Sequence, residues 1–127
     1  MAHYFTVEEA RTTLRSIRPW IQEVLAIREE ILQQRPQDWP LVEKAAGNGG
    51  NRRASRLVTR FDRLDRLVHS IQDTGAILKD LNLGLIDFPA WRENHEVYLC
   101  WRSGEPDLAF WHEIDAGFAG RQPIETF

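Results

Sequence analysis

The spacing of apolar positions divides the 127-residue chain into a helical first part and a β-rich last part. Thr6 reads as a helix N-cap, with Glu9 completing a capping box and Phe5 forming one half of a hydrophobic staple against Ala10. Beyond Val7, residues Leu14, Ile17, Ile21, Val24 and Ile31 follow at helical spacing; Leu25 and Leu32 widen the stripe and Arg28 interrupts it. Pro19 lies inside this run. It has no N–H and its ring crowds the carbonyl of Arg15, which predicts a kink or a break into two shorter helices. Pro36 and then Asp38-Trp39-Pro40 end the pattern near Arg35.

A second stripe starts near Ala54. Leu57, Phe61, Leu64, Val68, Ile71, Gly75 and Leu78 alternate four and three residues apart, a heptad seam that predicts a helix running to a stop at Asn82 and Gly84. Between the stripes, Leu41 to Asn51 has room for one helical turn and then a mobile Gly/Asn loop, which lacks the Gly-Lys-Ser/Thr ending of a phosphate-binding loop. The prediction is an antiparallel helical hairpin over residues 6–83, with rods about 40 Å long at a rise of about 1.5 Å per residue. One hairpin of that length leaves flanking residues such as Leu25, Val58 and Leu67 uncovered, so a second copy of the chain, in a homodimeric four-helix arrangement, is the expected partner.

Past residue 84 the period becomes two. Leu85 to Phe88 predicts a short strand, placed at an edge because Pro89 follows. Glu96 to Arg102 and Leu108 to Ile114 predict two more strands joined by Ser103-Gly104-Glu105-Pro106-Asp107. Pairing Arg102 with Leu108 sends Val97, Leu99, Trp101, Ala109 and Trp111 to an apolar face, and Tyr98, Cys100, Arg102, Phe110 and His112 to the other, with Tyr98 opposite His112. The predicted fold class is therefore α+β: a single domain over residues 1–127, with the hairpin followed by a small antiparallel sheet and a C-terminal loop over 84–127.

Composition narrows the class. With 43% hydrophobic and 28% charged residues and a mean hydropathy of -0.44, the chain has enough apolar side chains for a core, but no apolar run near the roughly 18–20 residues of a membrane span. The N-terminal residues lack a secretory signal pattern, and the lone Cys100 cannot form an intramolecular disulfide, so a cytoplasmic location is expected. The net charge of -3 hides a division: six arginines face two aspartates between Arg52 and Arg66, whereas eight acids face three arginines between Asp87 and Glu125. Arg53, Arg56, Arg60 and Arg63 border the second seam. Such flanking positions commonly pair with acids on a facing helix, here Glu23, Glu29 and Glu30, and the acidic total argues against nucleic acid as a partner.

Chemically capable side chains concentrate between Glu93 and Ile124. His112, Glu113 and Asp115 are candidate metal ligands, joined by Glu96 or Asp87 from a neighbouring strand, although no second histidine completes a zinc-protease motif. Arg102, Glu105, His112, Asp115 and Arg121 are candidate ligand-binding residues, and the amides of Gly117 and Gly120 beside the Arg121 guanidinium have the chemistry to hold a small anion. Each feature has a plainer reading: His112 paired across strands with Tyr98, acids bonded to Arg102 or Arg121, and glycines that only permit a tight bend. Cys100 reads as a small buried packing residue; as a nucleophile with His112 it lacks an electropositive setting. No cofactor is identified by these residues.

The run EVYLCWRSGEPDLAFWHEIDAGFAGRQPI, with YFTVEEARTTL at the start and GLIDFPAWRENHEVYLCW between, resembles a bacterial family known as domain of unknown function 2203. The resemblance implies the architecture and the prominence of these residues, and brings no activity, substrate or cofactor. The functional expectation is a non-enzymatic, homo-oligomeric interaction or ligand-binding module; the alternative is a metal- or anion-binding enzyme built on His112, Glu113, Asp115 and Arg121.

Overall fold

The computed structural model describes residues 3–46 and 58–127, with only the backbone for residues 58–60. Helix α1 spans Val7–Gln34, α2 spans Trp39–Ala45 after one turn of 3-10 helix, and α3 spans Val58–Asp73. Five strands follow, β1 (Ile77–Asp80), β2 (Leu85–Arg92), β3 (His95–Arg102), β4 (Phe110–Glu113) and β5 (Gln122–Pro123), each paired with the next in an antiparallel meander. The α+β class holds.

The start of α1 is the capping box read from the sequence. Glu9 N–H donates to Thr6 Oγ1 at 3.1 Å, and Thr6 N–H donates to Glu9 Oε1 at 2.9 Å. Of the kink or break expected at Pro19, the break does not occur, and α1 is one helix of 28 residues with Pro19 inside it. Pro19 and Arg15 are exposed, so water can serve the carbonyl that loses its partner, while Ile17 and Ile21 on the opposite face are fully buried and hold the turns on either side together.

Two further expectations are corrected. The second helix ends at Asp73, and Leu78 belongs to a strand: Gly75 takes φ +96, which stops the helix nine residues short of Asn82, where the expected stop begins. Asn82 and Gly84 instead form the β1–β2 turn, where the Asn82 side chain accepts from Arg28 at 2.7 Å and from Trp39 at 3.0 Å. The boundary between hairpin and sheet thus falls near residue 76. Leu85–Phe88 is no edge strand either, because β2 continues to Arg92 between β1 and β3. Pro89 is tolerated because it lies past the end of the β1 pairing, where its carbonyl accepts from Phe5 N–H at 2.8 Å. The β3–β4 register is the expected one, with Tyr98 opposite His112, but β4 begins only at Phe110 because the Leu108 carbonyl is taken by Arg11 at 3.0 Å.

The helices cover one face of the sheet. Leu14, Ile17, Ile21 and Val24 from α1 and Leu64, Val68 and Ile71 from α3 share a continuous core with Ile86, Phe88, Val97, Leu99, Trp101 and Trp111. Contacts between Arg63 and Glu23 and between Gly75 and His3 set α3 antiparallel to α1. The chain buries the inward stripe of α1 itself, the seven residues from Ala10 to Ile31 being all 6% exposed or less, and of the flanking residues expected to need a second copy Leu67 is buried and Leu25 half-buried. The Arg63 guanidinium grips Glu23 through two hydrogen bonds of 2.6 and 2.8 Å, the acid pairing expected of the arginine stripe. Arg53, Arg56, the Gly/Asn loop and the start of the second helix lie outside the described residues, as does the Arg60 side chain.

Candidate metal centre

Alternate residues of β2, β3 and β4 point away from the helices. Along one row of that outer face the pairing is Ile77–Asp87–Cys100–Phe110, and along the next Pro89–Tyr98–His112. Asp87, Cys100 and His112 are thus brought from three adjacent strands to one place. All three are buried, at 2, 0 and 3% exposure, and among the described residues they form the one group of three metal-capable side chains whose ligand atoms all lie within 4.8 Å of one another.

The hydrogen bonds define the state of this centre. His112 Nδ1 lies 2.7 Å from the Glu113 carbonyl oxygen, and Nε2 lies 3.1 Å from Asp87 Oδ1. Both ring nitrogens face acceptors, so an ionised Asp87 calls for an imidazolium that donates at both positions. Burial pushes the His112 pKa down, but the bonds to Asp87 and to the Glu113 carbonyl outweigh it, and the net direction is up from 6.5. The Cys100 thiol is pushed up to about 12, first by burial and then by the charge and hydrogen bond of Asp87, against a smaller opposing pull from Arg121. A thiol held that firmly protonated is no nucleophile at neutral pH.

The surroundings are aromatic and cationic. The Tyr98 ring packs edge-on against His112 with centroids 5.5 Å apart, and the Lys79 ammonium sits 4.8 Å above the Tyr98 ring. Arg121 lies between Phe110 and Phe118, at 4.0 and 4.1 Å from their centroids, and pairs with Glu105 at 2.8 Å. Glu105 also accepts from the Arg102 amide at 2.7 Å.

The candidate residues from the sequence are therefore divided between places. His112 is in the centre. Glu113, its neighbour on the strand, points to the opposite side and accepts from His95 Nε2 at 2.8 Å. Asp115 lies in the exposed turn after β4, and neither it nor Glu113 belongs to the three-donor group. Of the two strand acids offered as partners, Asp87 is in the centre, whereas Glu96 lies beside the Tyr4 hydroxyl. Glu105 and Arg121 meet, with the Arg102 amide, as a structural pin for the C-terminal segment. The anion cradle does not form as expected, because the Gly120 amide donates to the Gly117 carbonyl at 3.1 Å and Arg121 is engaged by Glu105.

Sequence reasoning missed Cys100 as a donor and Lys79 as a neighbour. The signal for Cys100 was Glu93-Asn94, whose φ values of 48 and 67 fit a two-residue type I′ hairpin turn. That turn fixes β2 on β3 and sets Asp87 opposite Cys100.

The fold and the site define an α+β protein with a helix-backed meander and a buried Asp–Cys–His cluster on its outer face. A family model described as "Uncharacterized conserved protein (DUF2203)" matches residues 3–124, and the chain belongs to that family. No curated protein and no solved structure matches it.

Proposed function

We propose that this protein binds a borderline divalent metal ion, of the zinc or cobalt type, through Asp87, Cys100 and His112. The observation that carries the reading is the convergence of one oxygen, one sulfur and one nitrogen donor, all buried, from three neighbouring strands. A mixed set of this kind suits zinc and its neighbours and not magnesium or calcium, which take oxygen ligands. The His112 Nδ1 contact with the Glu113 carbonyl supports it, since a ligating histidine commonly donates its other N–H to such an acceptor and so turns Nε2 toward the metal.

Donors on a tetrahedral zinc lie about 3.3–3.8 Å apart, given bond lengths of about 2.0–2.3 Å. The present separations, from 3.1 Å for His112–Asp87 to no more than 4.8 Å, require side-chain shifts of about an ångström, with no movement of the strands. The metal takes the place of the proton between His112 and Asp87 and of the thiol proton of Cys100, so its uptake releases protons. A thiolate ligand also has to stay reduced, which makes the cytoplasm the fitting compartment.

This reading keeps His112 and the strand acid Asp87 from the metal-binding alternative drawn from the sequence, drops Glu113, Asp115 and Glu96, and adds Cys100. The test is titration of chelator-treated protein with cobalt(II). One equivalent should produce thiolate-to-cobalt charge-transfer absorption in the near ultraviolet, lost in Cys100→Ser and His112→Gln variants whose circular dichroism is unchanged. Absence of that band, together with a melting temperature indifferent to zinc, overturns the proposal.

A further inference from the structure

Three protein donors leave a tetrahedral ion one position for an outside ligand, the arrangement of metal sites that work on something rather than merely staple a fold. The charge of the outer face bears on what that ligand is. An ion of charge +2 held by the Asp87 carboxylate, the Cys100 thiolate and a neutral imidazole makes a centre of net charge zero, which neither attracts nor repels an anion. The decision passes to the side chains around it.

Two of these are cations without an acid. Lys79 and Arg102 point to the same face of the sheet as the three donors, and among the described residues neither forms an ion pair with a carboxylate. Lys79 holds its ammonium over the Tyr98 ring, the ring that packs on His112, and its charge is felt at the imidazole. Arg102 has its guanidinium 5.9 Å from the Phe118 ring, beside the Phe110–Arg121–Phe118 stack that borders Cys100. Of the acids on this face, Glu105 is paired with Arg121 and Asp87 with His112, whereas Asp80 accepts from the Asn82 and Leu83 amides and Glu96 lies beside the Tyr4 hydroxyl, neutral groups that leave both charges in place. Lys79 and Arg102 are the cations of this face that no carboxylate pairs among the described residues.

We infer that the exogenous ligand of the Asp87–Cys100–His112 centre is a small oxyanion, a phosphate or carboxylate group that takes the open metal position with one oxygen and is held by Lys79, with Arg102 as the second cation. This deepens the metal-binding proposal and rests on it. Lys79 is the specificity residue, since an ammonium with no carboxylate partner among the described residues gains a charge-assisted contact when the anion arrives and gives up only its place over the Tyr98 ring.

The experiment uses the full chain loaded with cobalt(II), titrated separately with inorganic phosphate, acetate and sodium chloride at constant ionic strength, while the visible d–d absorption is followed. Phosphate, acetate or both should shift the spectrum in a saturable way that chloride does not reproduce, the response to one alone identifying which oxyanion the site prefers. In Lys79→Gln the apparent dissociation constant for that anion should rise about tenfold, while cobalt is still taken up with its thiolate charge-transfer band. Arg102→Gln should give a smaller rise. A cobalt-loaded chain whose spectrum ignores both oxyanions, or responds identically in Lys79→Gln, overturns this inference and leaves the metal site standing. A chain that takes up no cobalt overturns both.

Discussion

The two faces of the sheet are made by the same strands and differ in what lies against them. On the inner face Ile86, Phe88, Val97, Leu99 and Trp101 meet α1 and α3, and shape and apolar area decide everything there. On the outer face, one residue along each strand, Asp87, Cys100 and His112 are as deeply buried as their inner neighbours, on the side of the sheet away from α1 and α3. They are shielded by Tyr98, Phe110 and the C-terminal segment carrying Phe118 and Arg121. The inner face is apolar and self-sufficient. The outer face buries charge, which is expensive unless the groups satisfy one another or serve a ligand.

The comparison can be broken most forcefully from the inner side. Phe88→Ala removes a fully buried ring that packs against Phe5 and should lower unfolding free energy by about 4 kcal/mol in urea titration. A loss under about 1 kcal/mol would mean the inner face is not the core. On the outer face, Asp87→Ala leaves the His112 imidazolium without its acid and should cost about 3 kcal/mol at neutral pH, whereas Asp87→Val combined with His112→Leu should recover most of that loss. Recovery of stability with loss of cobalt binding in the double variant would separate the outer face's function from any need of the fold for it. If the double variant is as unstable as the single one, the pair is structural.

Zinc sharpens the contrast further. At free zinc about a hundredfold above its dissociation constant the parent should gain about 2.7 kcal/mol, seen as a higher melting temperature, and the Asp87→Val/His112→Leu variant should gain nothing.

Smaller effects belong to the helices. Thr6→Ala removes one side of the capping box and should cost about 1 kcal/mol. The smallest is the Glu23–Arg63 pair on the surface between α1 and α3. Its hydrogen bonds to Arg63 set the Glu23 pKa below 4.5. A depressed carboxylate pKa contributes stability that is present above the unfolded value and lost as pH falls through the folded one. Stability should therefore fall slightly more between neutral and acidic pH in the parent than in Glu23→Gln, and the difference should shrink in high salt.

Much of this was legible in the chain. The capping box at Thr6 and Glu9, the buried stripe from Leu14 to Ile31 and the facing of Tyr98 with His112 are local or nearly local, because a helix turn and a hairpin register are set by residues a few positions apart. The sequence misled where a periodic pattern outran its element. The seam from Leu57 to Leu78 keeps heptad spacing, but at Gly75 the backbone turns into a positive φ, and Leu78 packs half-buried against the core from a strand instead of a helix. Apolar stripes read one helix at a time also look uncovered, whereas the sheet that covers the inward stripe of α1 comes from the other half of the chain.

The sequence by itself determined the α+β class, the helix start, the pairing of β3 with β4 and the dense C-terminal half, since each follows from steric preference and periodicity over short distances. Only the tertiary structure decided which polar residues share a site. Strand alternation separates His112 from Glu113, the turn after β4 carries Asp115 away, and sheet pairing brings Asp87 and Cys100, 25 and 12 positions away in sequence, to its side. Adjacency along a strand puts side chains on opposite faces, and adjacency across strands brings them together; only the folded sheet specifies the second.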